Sequence, residues 1–229
     1  MAGGSGLPVN KFQDAVTMDV TSFNQVVVET SALEQNFRSI QRIAGDSVPV
    51  MAMVKADAYG HGSIEAANAF ARAGCEIFGI AELGEAVKLR RAGVSGEIYV
   101  TIGFANENVG NFFKYDLIPV VYTMAAAKAL SAAAESHKKN IDVHVKVDTG
   151  MGRLGFVPAD VPAVFEAIEI LPGLNLAGIM SHFPEADAPG SSTTLRAIES
   201  FSGLCTILKK RVPGLCHIAN SAAVLNFPS

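Results

Sequence analysis

The 229-residue sequence predicts an α/β fold of the TIM (β/α)8 type. Short runs of β-branched and aliphatic residues alternate with Ala-, Glu- and Leu-rich stretches of helical period, which is typical of parallel α/β folds. The runs are nearly continuous in apolar residues, as expected of strands buried on both faces. Seven runs occur about 28 residues apart, close to the roughly 31 residues per unit of a complete barrel. The sequence therefore predicts a barrel without its eighth strand.

The predicted elements follow one another in regular order. The strands are expected at residues 48–54, 77–80, 98–102, 118–121, 142–147, 176–180 and 215–219. The helices are expected at residues 63–73, 82–92, 106–115, 124–135, 161–170 and 193–211. Residues 1–22 are Gly/Ser-rich at the start and are interpreted as a flexible leader, which leaves 23–229 as one domain. An open doubly wound sheet stays possible from the pattern alone, although the first βα turn has no GxGxxG.

Composition excludes several functional classes. The chain is 49% hydrophobic and 17% charged, with a net charge of −4, which is too apolar for disorder and gives no reason to expect a nucleic-acid partner. We expect no membrane span, since no apolar run approaches the roughly 18 residues that one needs. Three cysteines without a CxxC pair favour a reducing cytoplasm. The scattered histidines and the absence of HExxH predict no metal site.

A lysine directly follows the first predicted strand. Lys55 comes after Met-Ala-Met-Val, and the loop beyond it reads Ala-Asp-Ala-Tyr-Gly-His-Gly. A charged amine at the end of a buried strand needs a partner or must lose its charge. Such lysines form Schiff bases with aldehydes, most often with pyridoxal phosphate. Gly60 and Gly62 would let the loop approach a phosphate closely. The alternative is that Lys55 simply extends into solvent.

Polar residues also follow the fifth and sixth predicted strands. TIM barrels carry their chemistry at this end of the strands. His144, Lys146 and Asp148 share one face of the fifth strand, and we expect them to form an ionic network that includes Arg153. His182 follows the sixth strand, where a hydrogen-bonded structural role and a catalytic role both stay open.

The loop after the seventh predicted strand opens a helix with small polar residues. Asn220 and Ser221 offer donors to an anion, and this loop is a recurrent phosphate site in TIM barrels. The alternative for both residues is helix capping, which uses the same geometry.

Taken together, these residues resemble the alanine racemase family, which uses pyridoxal phosphate. Segment 53–62, Met-Val-Lys-Ala-Asp-Ala-Tyr-Gly-His-Gly, is similar to the lysine signature of that family almost letter for letter. Segments 146–155, 180–187 and 217–223 match in the same order, and 28–36 resembles the opening strand and helix of the family. The resemblance covers nearly the whole chain beyond the leader.

The resemblance implies a racemase that interconverts L- and D-alanine. Lys55 would form the internal aldimine with pyridoxal phosphate and act as one of two acid/bases on the α-proton. Arg153 would contact the phenolic oxygen of the cofactor and the carboxylate of the substrate, and His182 would lie against the pyridine ring. These three residues are the catalytic candidates.

Five further positions carry supporting roles by the same resemblance. Tyr59 and Ser221, with the backbone near Asn220, would hold the cofactor phosphate. Lys146 matches a lysine that is carbamylated in some members, where the new anion orients the arginine. His217 matches a histidine that supports an arginine on the pyridine nitrogen.

The resemblance also implies parts of the family that this sequence does not contain. These are an eighth strand with that arginine and a glycine-led phosphate loop, and a C-terminal β-domain. The β-domain carries a catalytic tyrosine into the partner subunit of a head-to-tail homodimer. We therefore expect this chain alone to racemise poorly and to exchange the α-proton of one enantiomer far faster. The alternative function is a single-domain pyridoxal-phosphate homeostasis protein, which has the same barrel but a different lysine neighbourhood.

Overall fold

A parallel β-sheet forms the centre of the molecule. The computed structural model describes residues 24, 26–209 and 214–227, so the predicted leader lies outside the described part. Within it, seven strands pair in chain order, each parallel to the next. They are β1 Met51–Met53, β2 Ile77–Ile80, β3 Glu97–Val100, β4 Ile118–Val121, β5 Ile141–Lys146, β6 Leu174–Met180 and β7 Leu215–His217. The sheet is a curled, incomplete TIM-type barrel, as predicted.

Helices cover the outside of the sheet. In the described residues they are α1 Thr30–Ala44, α2 Lys55–Gly60, α3 Ser63–Arg72, α4 Leu83–Arg91, α5 Gly110–Tyr115, α6 Met124–His137, α7 Val161–Glu169, α8 Ser192–Leu208 and α9 Ser221–Asn226. Short 3-10 turns precede α5 and α7, at Asn106–Asn108 and Pro158–Asp160. None of these helices combines the length and the apolar character that a membrane crossing requires.

The core lies between the sheet and this helical layer. Its largest fully buried side chains include Phe78, Phe112 and Phe165. Helix α1 packs on α3, which follows β1 and α2, and on α9, which follows β7. Strands β1 and β7 are the edges of the sheet. Helix α1 therefore links the helices near the two edges of the sheet.

Several predicted boundaries were wrong for local reasons. The first strand begins at Met51 rather than at residue 48, because Pro49 has no N–H to donate to a neighbouring strand. The helix predicted over 106–115 divides into a 3-10 turn and α5. Asparagine side chains favour such turns over helix interiors, and Asn111 donates to the carbonyl of Asn108. Helix α2 was not predicted as an element, whereas α9 begins at Ser221, where the sequence predicts the start of a helix.

Candidate active site

Lys55 begins an unusual turn at the carboxyl end of β1. It is partly buried and is the first residue of α2. Residues 56–59 have φ between 50° and 54°, so the turn is left-handed. This conformation costs an L-residue about 1–2 kcal/mol and persists only where surrounding contacts impose it. The turn brings Tyr59 back towards the lysine, with Lys55 Nζ 5.8 Å from the centre of the Tyr59 ring.

Hydrogen bonds that a carboxylate within the turn accepts tie the turn to α3 and α4. The Asp57 carboxylate accepts bonds from the N–H and hydroxyl of Ser63 at 2.9 and 3.0 Å, and from Lys88 Nζ at 3.1 Å. The bond from the Ser63 N–H, together with Lys88, lowers the pKa of Asp57 to about 2. The charged carboxylate is therefore the form that holds the turn at neutral pH.

A second carboxylate holds the start of the turn from helix α4. Glu85 accepts the N–H of Ala56 at 2.6 Å and those of Ala81 and Glu82 at 3.0 and 3.1 Å. Neither Asp57 nor Glu85 was predicted as a functional residue. The glutamate at the third position of α4 indicates a helix start, but no local pattern connects it to Ala56.

Lys146 is a buried cation in the interior of the barrel. Its side chain is 4% exposed, and its Nζ donates to the carbonyl of Thr101 at 3.3 Å. Burial, together with the nearby charges of Arg153 and Lys55, lowers its pKa to about 8, against the opposite effect of Asp148. The structure thus brings together Lys55 after β1, Lys146 on β5 and Arg153 after β5. The Lys146 amine is therefore mostly charged at pH 7, with a neutral fraction of about a tenth.

The predicted ionic network around Arg153 was wrong. The Asp148 carboxylate accepts the backbone N–H groups of Gly150, Gly152 and Arg153 at 2.9–3.0 Å. Burial alone would raise the pKa of Asp148, but these bonds outweigh it and hold the pKa below its usual value. A short aspartate side chain reaches the N–H groups of its own following turn more readily than a distant side chain. Within the described residues, no ion pair joins Lys146 or Arg153 to a carboxylate.

His182 lies beside the same cations. It follows β6 and is partly buried. Burial lowers its pKa, and so do the charges of Arg153, Lys146 and Lys55. Its neighbour Ser181 links this loop to the one after β5, since the Ser181 hydroxyl contacts the Thr149 hydroxyl and the Val147 carbonyl, both at 2.8 Å. Sequence reasoning missed this link, because it depends on two strand ends meeting.

A pair of neutral histidines lies deeper in the barrel. His144 Nδ1 and His217 Nε2 are 3.0 Å apart and share one hydrogen bond. Burial, with a smaller effect of the partner ring, lowers the pKa of His144 to about 3. Burial and the Lys146 charge lower that of His217 to about 4. Tyr99 packs edge-on against His144, with ring centres 4.8 Å apart.

The two candidates after β7 open helix α9. The Asn220 side-chain oxygen accepts the N–H of Ala223 at 2.9 Å, so the capping alternative is confirmed for that side chain. Ser221 is exposed and is the first residue of α9. Both lie at the same end of the sheet as Lys55. A phosphate-binding role for either one stays a prediction.

The two ends of the sheet differ in character. A cavity of about 1110 Å³ opens at the amino-terminal ends of β1–β5, with Val50, Glu76, Glu97, Leu117 and Asp142 among its lining residues. It lies at the end of the strands opposite Lys55, Lys146 and His182. Because chemistry in βα barrels is placed at the carboxyl ends, we assign the candidate site to the lysine end.

Fold and site together define a βα-barrel domain with a cluster of cationic side chains, Lys55 among them, at the carboxyl ends of its strands. Comparison with known proteins identifies the family. Residues 28–229 match the family model "Alanine racemase, N-terminal domain". The chain belongs to the alanine racemase family, and the resemblance of the sequence is confirmed. This family depends on pyridoxal phosphate.

Individual relatives agree with this assignment. The chain is 36% identical over 207 residues to alanine racemase 1 of Caldanaerobacter subterraneus subsp. tengcongensis, which covers 88% of the chain and 53% of that protein. It is 36% identical over 203 residues to the alanine racemase of Halothermothrix orenii, with coverage of 87% and 53%. The crystal structure of alanine racemase from D-cycloserine-producing Streptomyces lavendulae matches with a TM-score of 0.82 at 31% identity, again over 87% and 53%. The chain thus spans about half the length of these relatives.

Proposed function

We propose that this chain is the barrel part of a pyridoxal-phosphate-dependent alanine racemase. The observation that carries the proposal is the cluster of Lys55, Lys146 and Arg153 at the carboxyl ends of the strands. Within the described residues none of the three has a carboxylate partner in ion-pair distance. Such a cluster favours anions, and both the phosphate of the cofactor and the carboxylate of an amino acid are anions.

The residues around this cluster fit the cofactor. Lys55 would bind it covalently, and the Tyr59 hydroxyl and Ser221 would hold its phosphate. Arg153 is exposed beside the site and would orient the substrate carboxylate. When bound, pyridoxal phosphate delocalises the electron pair that remains after the α-proton leaves.

Lys55 would also move the proton. Its amine would take the α-proton from one face of the substrate and return it to the same face, as a general acid/base does. Reversal of configuration needs a second group on the opposite face. We propose that a further part of the full-length protein supplies that group, in a homodimer.

The neutral histidines would support the pyridine side of the site. With a pKa of about 4, His217 stays uncharged at pH 7, so it can accept a hydrogen bond from a cation without repelling it. We propose that this cation is an arginine from a further strand, as the family resemblance implies.

A labelling experiment tests the proposal directly. The chain is incubated with pyridoxal phosphate, reduced with borohydride and digested, and the labelled lysine is identified by mass spectrometry. We expect a visible absorbance band that borohydride removes and a label on Lys55. The exposed Lys128→Ala variant should label as the unchanged chain does, and Lys55→Ala should not label. Absence of the band at any cofactor concentration, or a label spread over surface lysines, would contradict the proposal.

Proton-exchange NMR tests the one-sided chemistry. L- and D-alanine are incubated separately in deuterated water with the loaded chain, and loss of the α-proton is followed. We expect one enantiomer to exchange far faster than the other. Fast and equal exchange from both would show that this chain serves both faces.

A further inference from the structure

Helix α4 reaches the residue that follows the candidate cofactor lysine. Glu85 lies on α4, yet one of its carboxylate oxygens accepts the backbone N–H of Ala56 at 2.6 Å. Its other oxygen accepts the N–H groups of Ala81 and Glu82, directly after β2. A single side chain therefore connects the carboxyl end of β1 to that of β2.

We propose that Glu85 is a positioning residue, which fixes the left-handed turn at Ala56 and thereby the direction in which Lys55 points. The role assigned to Lys55 rests on the proposed function, whereas the anchoring of the turn does not. Glu85 touches neither cofactor nor substrate in this proposal and acts only through the backbone beside Lys55.

The turn needs an anchor such as Glu85 because its backbone conformation is strained. Residues 56–59 all have positive φ, a conformation that Ala and Tyr rarely adopt without external contacts and that Asp tolerates only as a single residue. Backbone bonds inside the turn join Ala58 N–H to the Val54 carbonyl and Gly62 N–H to the Asp57 carbonyl. The N–H of Ala56 has Glu85 as its partner, so this bond sets the first step of the turn.

Helix α4 contacts the turn at a second point. Lys88 lies three residues after Glu85, on the same side of the helix, and its Nζ donates to the Asp57 carboxylate at 3.1 Å. Two successive residues of the turn, Ala56 and Asp57, are thus held from one helix. This arrangement places the whole turn relative to α4 rather than relative to β1 alone.

Helix capping by itself does not explain the arrangement. A glutamate at the third helical position bonds N–H groups at the start of its own helix, which accounts for Glu82. The bond to Ala56 spans 29 residues of sequence and contributes nothing to capping. Both carboxylate oxygens are used, so a glutamine would present an amide NH2 to one of the N–H groups.

Glu85→Gln is the test variant, and Glu82→Gln is its matched control at the N-cap of the same helix. The first readout is hydrogen exchange at the Ala56 amide in the full chain without cofactor. We expect exchange about tenfold faster in Glu85→Gln and unchanged in Glu82→Gln. Unchanged exchange in both variants would overturn the proposal.

The second readout separates positioning of Lys55 from cofactor affinity. The rate at which pyridoxal phosphate becomes fixed to Lys55 is measured by borohydride trapping. Binding of pyridoxine phosphate, which has no aldehyde, is measured in parallel. For Glu85→Gln we expect trapping to slow by roughly tenfold to a hundredfold, with pyridoxine phosphate affinity changed less than threefold. Equal losses in both measurements, or an equal loss in Glu82→Gln, would indicate a merely structural role and overturn the proposal.

A second variant keeps the test decisive if Glu85→Gln does not fold. Glu85→Asp keeps the charge but shortens the side chain by one methylene, so it cannot span both strand ends. We expect it to fold and to show the same faster exchange at Ala56, and protection equal to that of the unchanged chain would contradict the proposal. If the unchanged chain does not label at Lys55, the proposed function fails, whereas the exchange measurement still decides the anchoring.

Discussion

At the residue scale, Lys146 carries a buried positive charge that no carboxylate among the described residues pairs with. It is almost fully buried, and its hydrogen-bond partner is a carbonyl at 3.3 Å. Its charged form is destabilised by burial and by two further cations, so the folded protein holds its proton less tightly than the unfolded chain does. The site therefore contains a charge that costs stability, which natural proteins retain mainly where chemistry needs it.

Substitution of Lys146 should reveal that cost. The pKa falls from 10.5 to about 8 on folding, so the penalty is fully present below pH 8 and disappears as pH rises towards 10.5. It amounts to at most about 3 kcal/mol. Lys146→Met should therefore raise the free energy of unfolding at pH 7 and flatten its rise between pH 8 and 10. Urea denaturation at a series of pH values measures both effects.

The control for this prediction is Lys128→Met, a change at an exposed lysine of α6. It should leave the pH profile as it is in the unchanged chain. The interpretation fails if Lys146→Met is less stable at pH 7 or keeps the full alkaline rise.

The site residues fall into two groups: those that a local sequence motif identifies, and those whose role depends on contacts between distant parts of the chain. Lys55 and Arg153 stand in motifs that a single sequence shows, and both lie beside the same buried lysine. The side chains of Glu85 and Ser181 bond backbone groups far away in sequence, and the backbone carbonyl of Thr101 accepts from the distant Lys146 side chain. These partners meet only because their strands end side by side in the sheet. Residue spacing in the sequence therefore does not predict their contacts.

At the element scale, the left-handed turn α2 is a strained part of the backbone. Four successive residues have positive φ, at about 1–2 kcal/mol each. The total is comparable with the net stability of a typical domain. The turn can exist only because contacts with α3 and α4 impose it.

Substitution by glycine should therefore stabilise this left-handed turn, whereas it destabilises an ordinary right-handed helix. Ala56 is exposed and has a φ of 50°, a conformation that glycine adopts freely. We expect Ala56→Gly to raise the free energy of unfolding by up to about 1 kcal/mol. Ala71→Gly, at an exposed position of right-handed α3, should lower it by about 1 kcal/mol. Thermal unfolding compares the two, and a loss of stability in both would show that the turn is not strained.

Strands were easier to predict than this turn. The runs at 77–80 and 118–121 coincide with β2 and β4, because buried parallel strands need continuous apolar residues. The letters Ala-Asp-Ala-Tyr carry no such signal for a left-handed turn. Its handedness follows from the tertiary contacts of Asp57 and Glu85, which lie beyond any local window.

At the scale of the whole molecule, α1 holds the two ends of the sheet together. Its buried residue Phe37 is 7% exposed and packs against Phe70 of α3, with ring centres 6.0 Å apart. The same helix also packs on α9. The edge strands β1 and β7 do not pair with each other, so this helix provides a connection that the sheet lacks.

Truncation of Phe37 tests that connection. Phe37→Ala should lower the free energy of unfolding by about 3–5 kcal/mol, the usual cost of removing a buried phenylalanine. Hydrogen exchange should then increase first in α3, which loses the Phe70 contact, and in α9, rather than in the central strands. The neighbouring exposed change Arg38→Ala should cost under about 1 kcal/mol. Uniform loss of protection across the sheet would argue against a local bridging role.

The histidine pair has a consequence for how the two sides of the barrel interior communicate. One hydrogen lies between His144 Nδ1 and His217 Nε2, and each neutral ring carries one N–H. If His217 donates the shared hydrogen, its Nδ1 carries no hydrogen and accepts, and His144 Nε2 carries a hydrogen. If His144 donates, His217 Nδ1 carries the hydrogen and His144 Nε2 is the acceptor. A donor that binds His217 Nδ1 therefore selects one tautomer for both rings. The identity of a group on one side of the pair is thus transmitted to the other side without any change in charge.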